Sequence, residues 1–223
     1  RAGVNMLSGA DASALIDAMP ARFSHMVRDR AGEMPNRPAL RFAGRDVGYG
    51  ALWQATDKAK DLLTARGIRP GDRVMMVGEN GLQLVPLMLA VSELDAWGVP
   101  LNARMAEREV ATIQDFTACR VAIYCATDSE AAAKHGDHAG ARLMTDAMFG
   151  DLLIGDTDPG AEPEPVAPGD NRQTAVLVFT SGTTGEPKGV MMNHRALIYM
   201  GSNMATLRGI TADDVLYNIS PIS

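Results

Sequence analysis

Only two cysteines, Cys119 and Cys125, occur among the 223 residues. They make no disulfide framework, so a reduced, cytoplasmic setting is the expected one. No apolar run approaches the roughly 20 residues that a membrane-spanning helix needs. Basic excess is absent as well: 21 Lys and Arg stand against 27 Asp and Glu, a formal net charge of −6 spread along the chain. With no basic stripe and no interleaving of aromatic and basic residues, no nucleic-acid surface is expected. No internal repeat occurs, nor any Gly-x-Gly-x-x-Gly fingerprint. The absence of a Gly-x-Ser-x-Gly elbow argues against a serine nucleophile. The chain opens on Arg1 with no signal-like apolar core, and its natural amino terminus is expected to lie elsewhere.

What is present suffices for a real core. Hydrophobic residues make up 46% of the chain, which fits one or two compact units. The 14 methionines are scattered and read as core filler.

Apolar spacing predicts a helix over 12–30, ended by the stretch around Gly32 and Pro35. Short strands follow at 39–43 and 47–49, with a hairpin turn at 44–46. A helix with Leu52, Ala55, Ala59, Leu62 and Leu63 on one face ends near Gly67. Beyond it come a strand at 73–77, a helix at 82–95 with Pro86 in its first turn, and a strand at 99–101. A helix at 105–116 and a strand at 120–125 complete the series. Strands separated by helices in this order imply an α/β fold of βαβ units with largely parallel sheets. The pattern blurs from 126 to 153, apart from a helical stretch near 129–134. Residues 155–169, rich in proline and acid, read as an exposed linker. The chain is thus expected to divide into a first subdomain at 1–154, a linker at 155–169, and the start of a second subdomain at 170–223. In that last part Asn193 is placed to cap a helix through Leu197 and Met204, and 215–219 reads as a strand.

The stretch from Thr180 to Gly189 carries the chemistry. It follows Ala175-Val-Leu-Val-Phe179, an apolar run that reads as a buried strand, and ligands of open α/β sheets bind beyond strand ends. Thr180, Ser181, Thr183 and Thr184 offer hydroxyls, while Gly182 and Gly185 admit close approach of the backbone. Successive N–H groups in such a turn make a concave donor surface for an anion. Glu186 precedes Pro187, which stiffens the turn, and Lys188 adds a positive charge. Together these residues suit a polyphosphate. The loop is not a Walker A sequence, because Gly182 and Gly185 are too close and Gly189 follows the lysine.

Phe179-Thr-Ser-Gly-Thr-Thr-Gly-Glu-Pro-Lys-Gly-Val190 resembles the signature of the AMP-forming acyl-CoA synthetases and the wider adenylate-forming superfamily. Pro35-Asn-Arg-Pro-Ala39, Tyr49-Gly-Ala-Leu52, Gly71-Asp-Arg-Val74 and Val99-Pro-Leu-Asn102 sit where relatives carry similar phrases. The resemblance implies that ATP and a carboxylic acid give an acyl-adenylate and pyrophosphate, with Mg²⁺ screening the phosphates. The acyl group then passes to a thiol, most often that of coenzyme A, with a carrier-protein thiol as the alternative. Residues 180–188 would bind the nucleotide, with Lys188 on the β- and γ-phosphates, and the region that carries the phrases at 35–102 would be scaffold. The chain matches less than half of such an enzyme. The acyl pocket, an acidic Mg²⁺ ligand and a small C-terminal domain with its lysine fall outside it, so residues 1–223 are expected to be inactive alone. Two other readings stand beside this one: a truncated relative that binds nucleotide or serves as an interaction domain, and an NTPase of another type.

The remaining polar candidates have blander readings. His135 and His138, with no further cluster, favour a surface loop over a metal site. His194 either helps shape the phosphate loop or simply starts a helix. Asp156 and Asp158 read as solvated, and Cys119 and Cys125 as structural.

Overall fold

The computed structural model describes residues 18–180 and 187–222. The first helix among the described residues, α1 (Ser24–Glu33), covers the later part of the helix expected over 12–30, of which 12–17 lie outside the described residues. Residues 18–23 are not helical, and Pro20 disfavours the helical region for Met19 before it. Strands β1 (Pro38–Phe42) and β2 (Arg45–Gly48) form a separate antiparallel hairpin. Its turn is Ala43-Gly44, one step earlier than predicted, with φ of 49° and 77°. Two positive φ values match the strand twist that a two-residue turn needs. Tyr49 is the first residue of helix α2 (Tyr49–Ala65) and not the end of a strand.

A seven-stranded sheet follows. Its core is β3 (Arg73–Gly78), β4 (Trp97–Asn102) and β5 (Val121–Tyr124), joined by helices α3 (Leu84–Glu93) and α4 (Glu107–Thr117). Pro86 is the third residue of α3, where its missing N–H costs nothing. After β5 come α5 (Glu130–His138) and an antiparallel pair, β6 (Arg142–Asp146) and β7 (Gly150–Ile154). The blurred stretch of sequence therefore holds a helix and two strands at one end of the sheet, β6 being the edge. Strand β8 (Thr174–Thr180) pairs parallel to β4, and β9 (Lys188–Asn193) folds back antiparallel on β8. Helix α6 (His194–Arg208) follows, capped as expected by Asn193, whose Oδ1 accepts from the Ala196 N–H at 2.7 Å.

The strand order is β6-β7-β5-β3-β4-β8-β9. Strands β5, β3, β4 and β8 run parallel, and the antiparallel strands lie outside them. All six residues of β3 are buried, as a strand covered on both faces must be. Alternate residues feed two cores. Val74 and Met76 meet Ala59 and Leu63 of α2 and Leu84, Leu87 and Val91 of α3. Met75 and Val77 meet Val110 and Ile113 of α4 and Ala132 of α5. The result is an α/β/α sandwich with a largely parallel centre.

Residues 155–169 have no regular structure, but they are tied down along the amino-terminal end of the sheet. The Asp158 N–H donates to the Arg120 carbonyl at 2.8 Å, the Glu164 N–H donates to the Gly71 carbonyl at 3.0 Å, and Ala161 is buried. Arg69 anchors the same stretch, donating to the Ala161 carbonyl and to both carboxylate oxygens of buried Asp72.

One predicted strand does not form. Residues 215–219 pair with no strand among the described residues, and Val215, Leu216, Tyr217 and Ile219 are exposed. A β pattern needs a neighbouring ladder to become a strand.

Candidate functional site

Thr180 and Lys188 are direct partners across the β8–β9 hairpin. The two ends of the hydroxyl- and glycine-rich stretch are thereby held about 5 Å apart, the spacing of an antiparallel pair. Ser181, Gly182, Thr183, Thr184, Gly185 and Glu186 lie outside the described residues, as does the Thr180 side chain. Pro187 is half-buried and Lys188 exposed at the start of β9. One step further in, Gly189 faces Phe179, whose ring would lie 3.0 Å from a Cβ at that position. A side chain there would have to displace the ring. Phe179 in turn meets Phe116 of α4 edge to face, with ring centroids 6.2 Å apart.

The parallel strands β5, β3, β4 and β8 all finish at the same end as this stretch. Helix α3 leaves β3 toward one face and α4 leaves β4 toward the other, as their separate cores show. A topological switch point therefore lies between β3 and β4, one and a half strand spacings, about 7 Å, from β8. Polar residues meet there. Glu79 accepts from Arg104 Nε at 2.7 Å and from Ser129 Oγ at 2.9 Å, joining the turns after β3, β4 and β5. The Arg104 hydrogen bond, backed by Ser129, holds the Glu79 carboxyl below the usual carboxylate range. Asn80 donates from Nδ2 to the Ser220 carbonyl at 2.8 Å and accepts on Oδ1 from the Ile222 N–H at 3.0 Å. No sequence expectation falls on Glu79 or Asn80. The available signal is two polar residues after the apolar run Val74–Val77 and Gly78.

The other candidates fall elsewhere. His194 follows the opposite end of β9 from the loop, six residue steps or about 20 Å from Lys188, so it does not shape the loop by contact. It is fully buried and stacked on Phe23 with centroids 5.6 Å apart, and its Nδ1 accepts from the Phe23 N–H at 3.4 Å. Burial, with Arg22 and His25 nearby, pushes its pKa down to about 3. His135 Nε2 lies 3.0 Å from the Ala103 carbonyl, and His138 pairs with Glu107 at 3.1 Å. Both histidines tie α5 to the α4 region. Among the described residues no three His, Cys, Asp or Glu gather in a metal-holding group. Cys119 and Cys125 are buried and free, with burial raising their thiols to about 11 and about 12. Asp156 pairs with Arg142 at the surface, whereas Asp158 turns back onto the Gly160 N–H.

This topology and loop find their counterpart in a known family. The family model for AMP-binding enzymes matches residues 27–223, nearly the whole chain. The chain belongs to the AMP-binding enzyme family. Among curated members, the long-chain-fatty-acid–CoA ligase FadD13 of Mycobacterium tuberculosis is 31% identical over 186 residues, covering 81% of this chain and 37% of that protein. A 3-hydroxybenzoate–CoA ligase of Aromatoleum is 29% identical over 222 residues, covering 94% of this chain and 41% of that protein. The chain thus spans well under half the length of these relatives. Among solved members, O-succinylbenzoate coenzyme A synthetase of Bacillus subtilis, in complex with AMP, superposes with a TM-score of 0.68 at 22% identity. That superposition covers 92% of this chain and 50% of the other, and it shows a common fold. No described helix is long and apolar enough to cross a membrane.

Proposed function

We propose that this chain is the amino-terminal part of a ligase that activates an organic carboxylic acid with ATP and transfers the acyl group to coenzyme A. A carboxylate oxygen attacks the α-phosphorus, the bond from that phosphorus to the β-bridging oxygen breaks, and pyrophosphate leaves. The thiolate of coenzyme A then attacks the acyl carbon and AMP leaves. Oxide is a poor leaving group and AMP a good one, so adenylation makes the second step feasible. Holding both reactants in line supplies much of the rate.

The observation that carries this reading is the sequence of residues 180–188 within a chain of the AMP-binding family, its two ends clasped by the β8–β9 hairpin. In this reading Ser181, Thr183 and Thr184 donate hydroxyl hydrogen bonds to phosphate oxygens, as do the amides around Gly182 and Gly185. Thr180, Glu186 and Pro187 frame the loop, and Lys188 stabilises charge on the departing pyrophosphate. Mg²⁺ arrives with ATP as part of the substrate. Residues 1–154 act as scaffold, 155–169 as connector, and 170–223 open the unit that bears the loop. Two free, buried cysteines fit a cytoplasmic enzyme.

Acid-dependent pyrophosphate exchange by the complete polypeptide is the test. Lys188→Ala is expected to slow exchange by about 100-fold, the usual cost of removing one electrostatic stabiliser. Formation of ADP in place of AMP and pyrophosphate would refute the reading. Residues 1–223 alone are expected to show no exchange.

A further inference from the structure

A cleft of about 460 Å³ opens between the C-terminal ends of α4 and α5, at the amino-terminal end of the sheet and away from residues 180–188. That size lies in the range of small-molecule sites. Ala122 and Tyr124 of β5 form its floor, and Ala118 and Ala139, the residues just past the two helices, form apolar sides. Both helices turn their negative ends toward it, and the last turn of α4 carries no basic side chain to offset that charge. Three carboxylates line the cleft: Asp115 from α4, and Asp156 and Asp158 from the connector. Asp115 is exposed and joins no ion pair among the described residues. Asp156 meets Arg142 at 3.2 Å in a solvent-exposed pair, and Asp158 accepts from the Gly160 N–H at 2.8 Å. Arg120, beside the connector, spends its guanidinium on the Gly67 and Asp158 carbonyls and on Asp72.

Acidic side chains alone would make an ordinary surface. The floor adds a separate mark of a ligand. Tyr124 lines the cleft and is only 2% exposed, yet its hydroxyl makes no hydrogen bond among the described residues. A buried tyrosine hydroxyl ordinarily finds a partner. Burial raises its pKa, so it stays neutral and can accept from a cationic donor. We propose that this cleft binds an aliphatic polyamine: ammonium groups pair with Asp115 and with Asp156 and Asp158, methylenes lie over Ala118, Ala122 and Ala139, and an ammonium N–H donates to Tyr124 Oη. Carboxylates supplied by separate elements around an apolar floor match charges spaced along a methylene chain. A bare metal ion is a poorer match, since no metal-holding group of His, Cys, Asp or Glu occurs among the described residues. The site is independent of the ligase reading.

Calorimetric titration of the complete polypeptide with spermidine, at neutral pH and low salt, tests the proposal. One saturable site per chain is expected. Butylamine, with a single charge, should bind about fivefold more weakly, and so should spermidine to Asp115→Asn. Tyr124→Phe keeps the ring and removes the hydroxyl, and it too should weaken spermidine about fivefold. Asp61→Asn removes an exposed carboxylate from α2, which packs on the opposite face of the sheet, and should leave the affinity unchanged. Absence of saturable binding overturns the proposal. Equal weakening by Asp61→Asn and Asp115→Asn overturns it in favour of attraction to net charge. Butylamine bound as tightly as spermidine removes the case for a polyamine. Unchanged affinity in Tyr124→Phe puts the amine on the outer rim and overturns the cleft site. If Tyr124→Phe does not fold, the surface variant Asp115→Asn decides alone: weaker binding supports the site and unchanged affinity overturns it.

Discussion

Replacing His194 with Asn should remove a specific portion of the acid sensitivity of folding. The imidazole is fully buried, and its Nδ1 must be unprotonated to accept from the Phe23 N–H. Burial comes first among the causes that lower its pKa to about 3; the positive charges of Arg22 and His25 add to it. Carboxylates nearby do not reverse this, since Asp95 is engaged by Arg22, and Glu93 by Ser24 and His25. The unfolded chain takes up a proton at this position below about pH 6.5, whereas the folded chain does so only near pH 3. Stability is therefore fully present above pH 6.5 and falls as the pH drops toward 3. The slope approaches about 1.4 kcal/mol per pH unit, which gives a loss of about 2 kcal/mol by pH 5. Asn offers an oxygen acceptor of similar reach and does not titrate. Urea unfolding at pH 7.5 and pH 5 measures the difference. The wild type should lose about 2 kcal/mol more than His194→Asn over that interval. Other groups, including His25 with its own lowered pKa, contribute equally to both proteins and cancel. Identical losses in the two proteins would show that the folded imidazole takes up its proton as freely as the unfolded one.

Gly71 has φ of 82°, and a Cβ there would lie 2.0 Å from the Glu164 carbonyl oxygen. Gly71→Ala should destabilise by about 3 kcal/mol or more through strain and clash together, with faster protease cleavage within 155–169. The thiols of Cys119 and Cys125, raised to about 11 and about 12, should react with a thiol-specific disulfide reagent only on unfolding. Rapid labelling of the native protein would contradict the buried placement of these side chains.

The alternation of strands and helices from 73 to 125 was legible because a doubly covered strand leaves an unbroken apolar run, as in Val74-Met-Met-Val77. Asn193 as a cap and Pro86 in a first turn were legible for equally local reasons. Strand β9 was harder to see: Met191 and Met192 have no alternation, and only the pairing with β8 makes an extended strand of them. The segment at 215–219 failed in the opposite sense, since its pattern suits a strand and no described ladder receives it. At the candidate site, the loop is proposed from residue types alone, and residues 181–186 lie outside the described residues. Glu79, Asn80 and Arg104 could not be read that way, because their meeting depends on which strands become neighbours, and no short window of sequence carries that information.

The lacing of residues 158–164 over Gly71 and Arg120 has an effect on how such a molecule can vary. It seals the entrance edge of the strands with main-chain hydrogen bonds and the Arg69–Asp72 pair. The exit edge is left to hydroxyls, amides and charged side chains. Folding is thus secured at one rim, and the proposed chemistry lies at the other. On that proposal, changes of substrate preference can accumulate at the exit rim without loosening the framework beneath it.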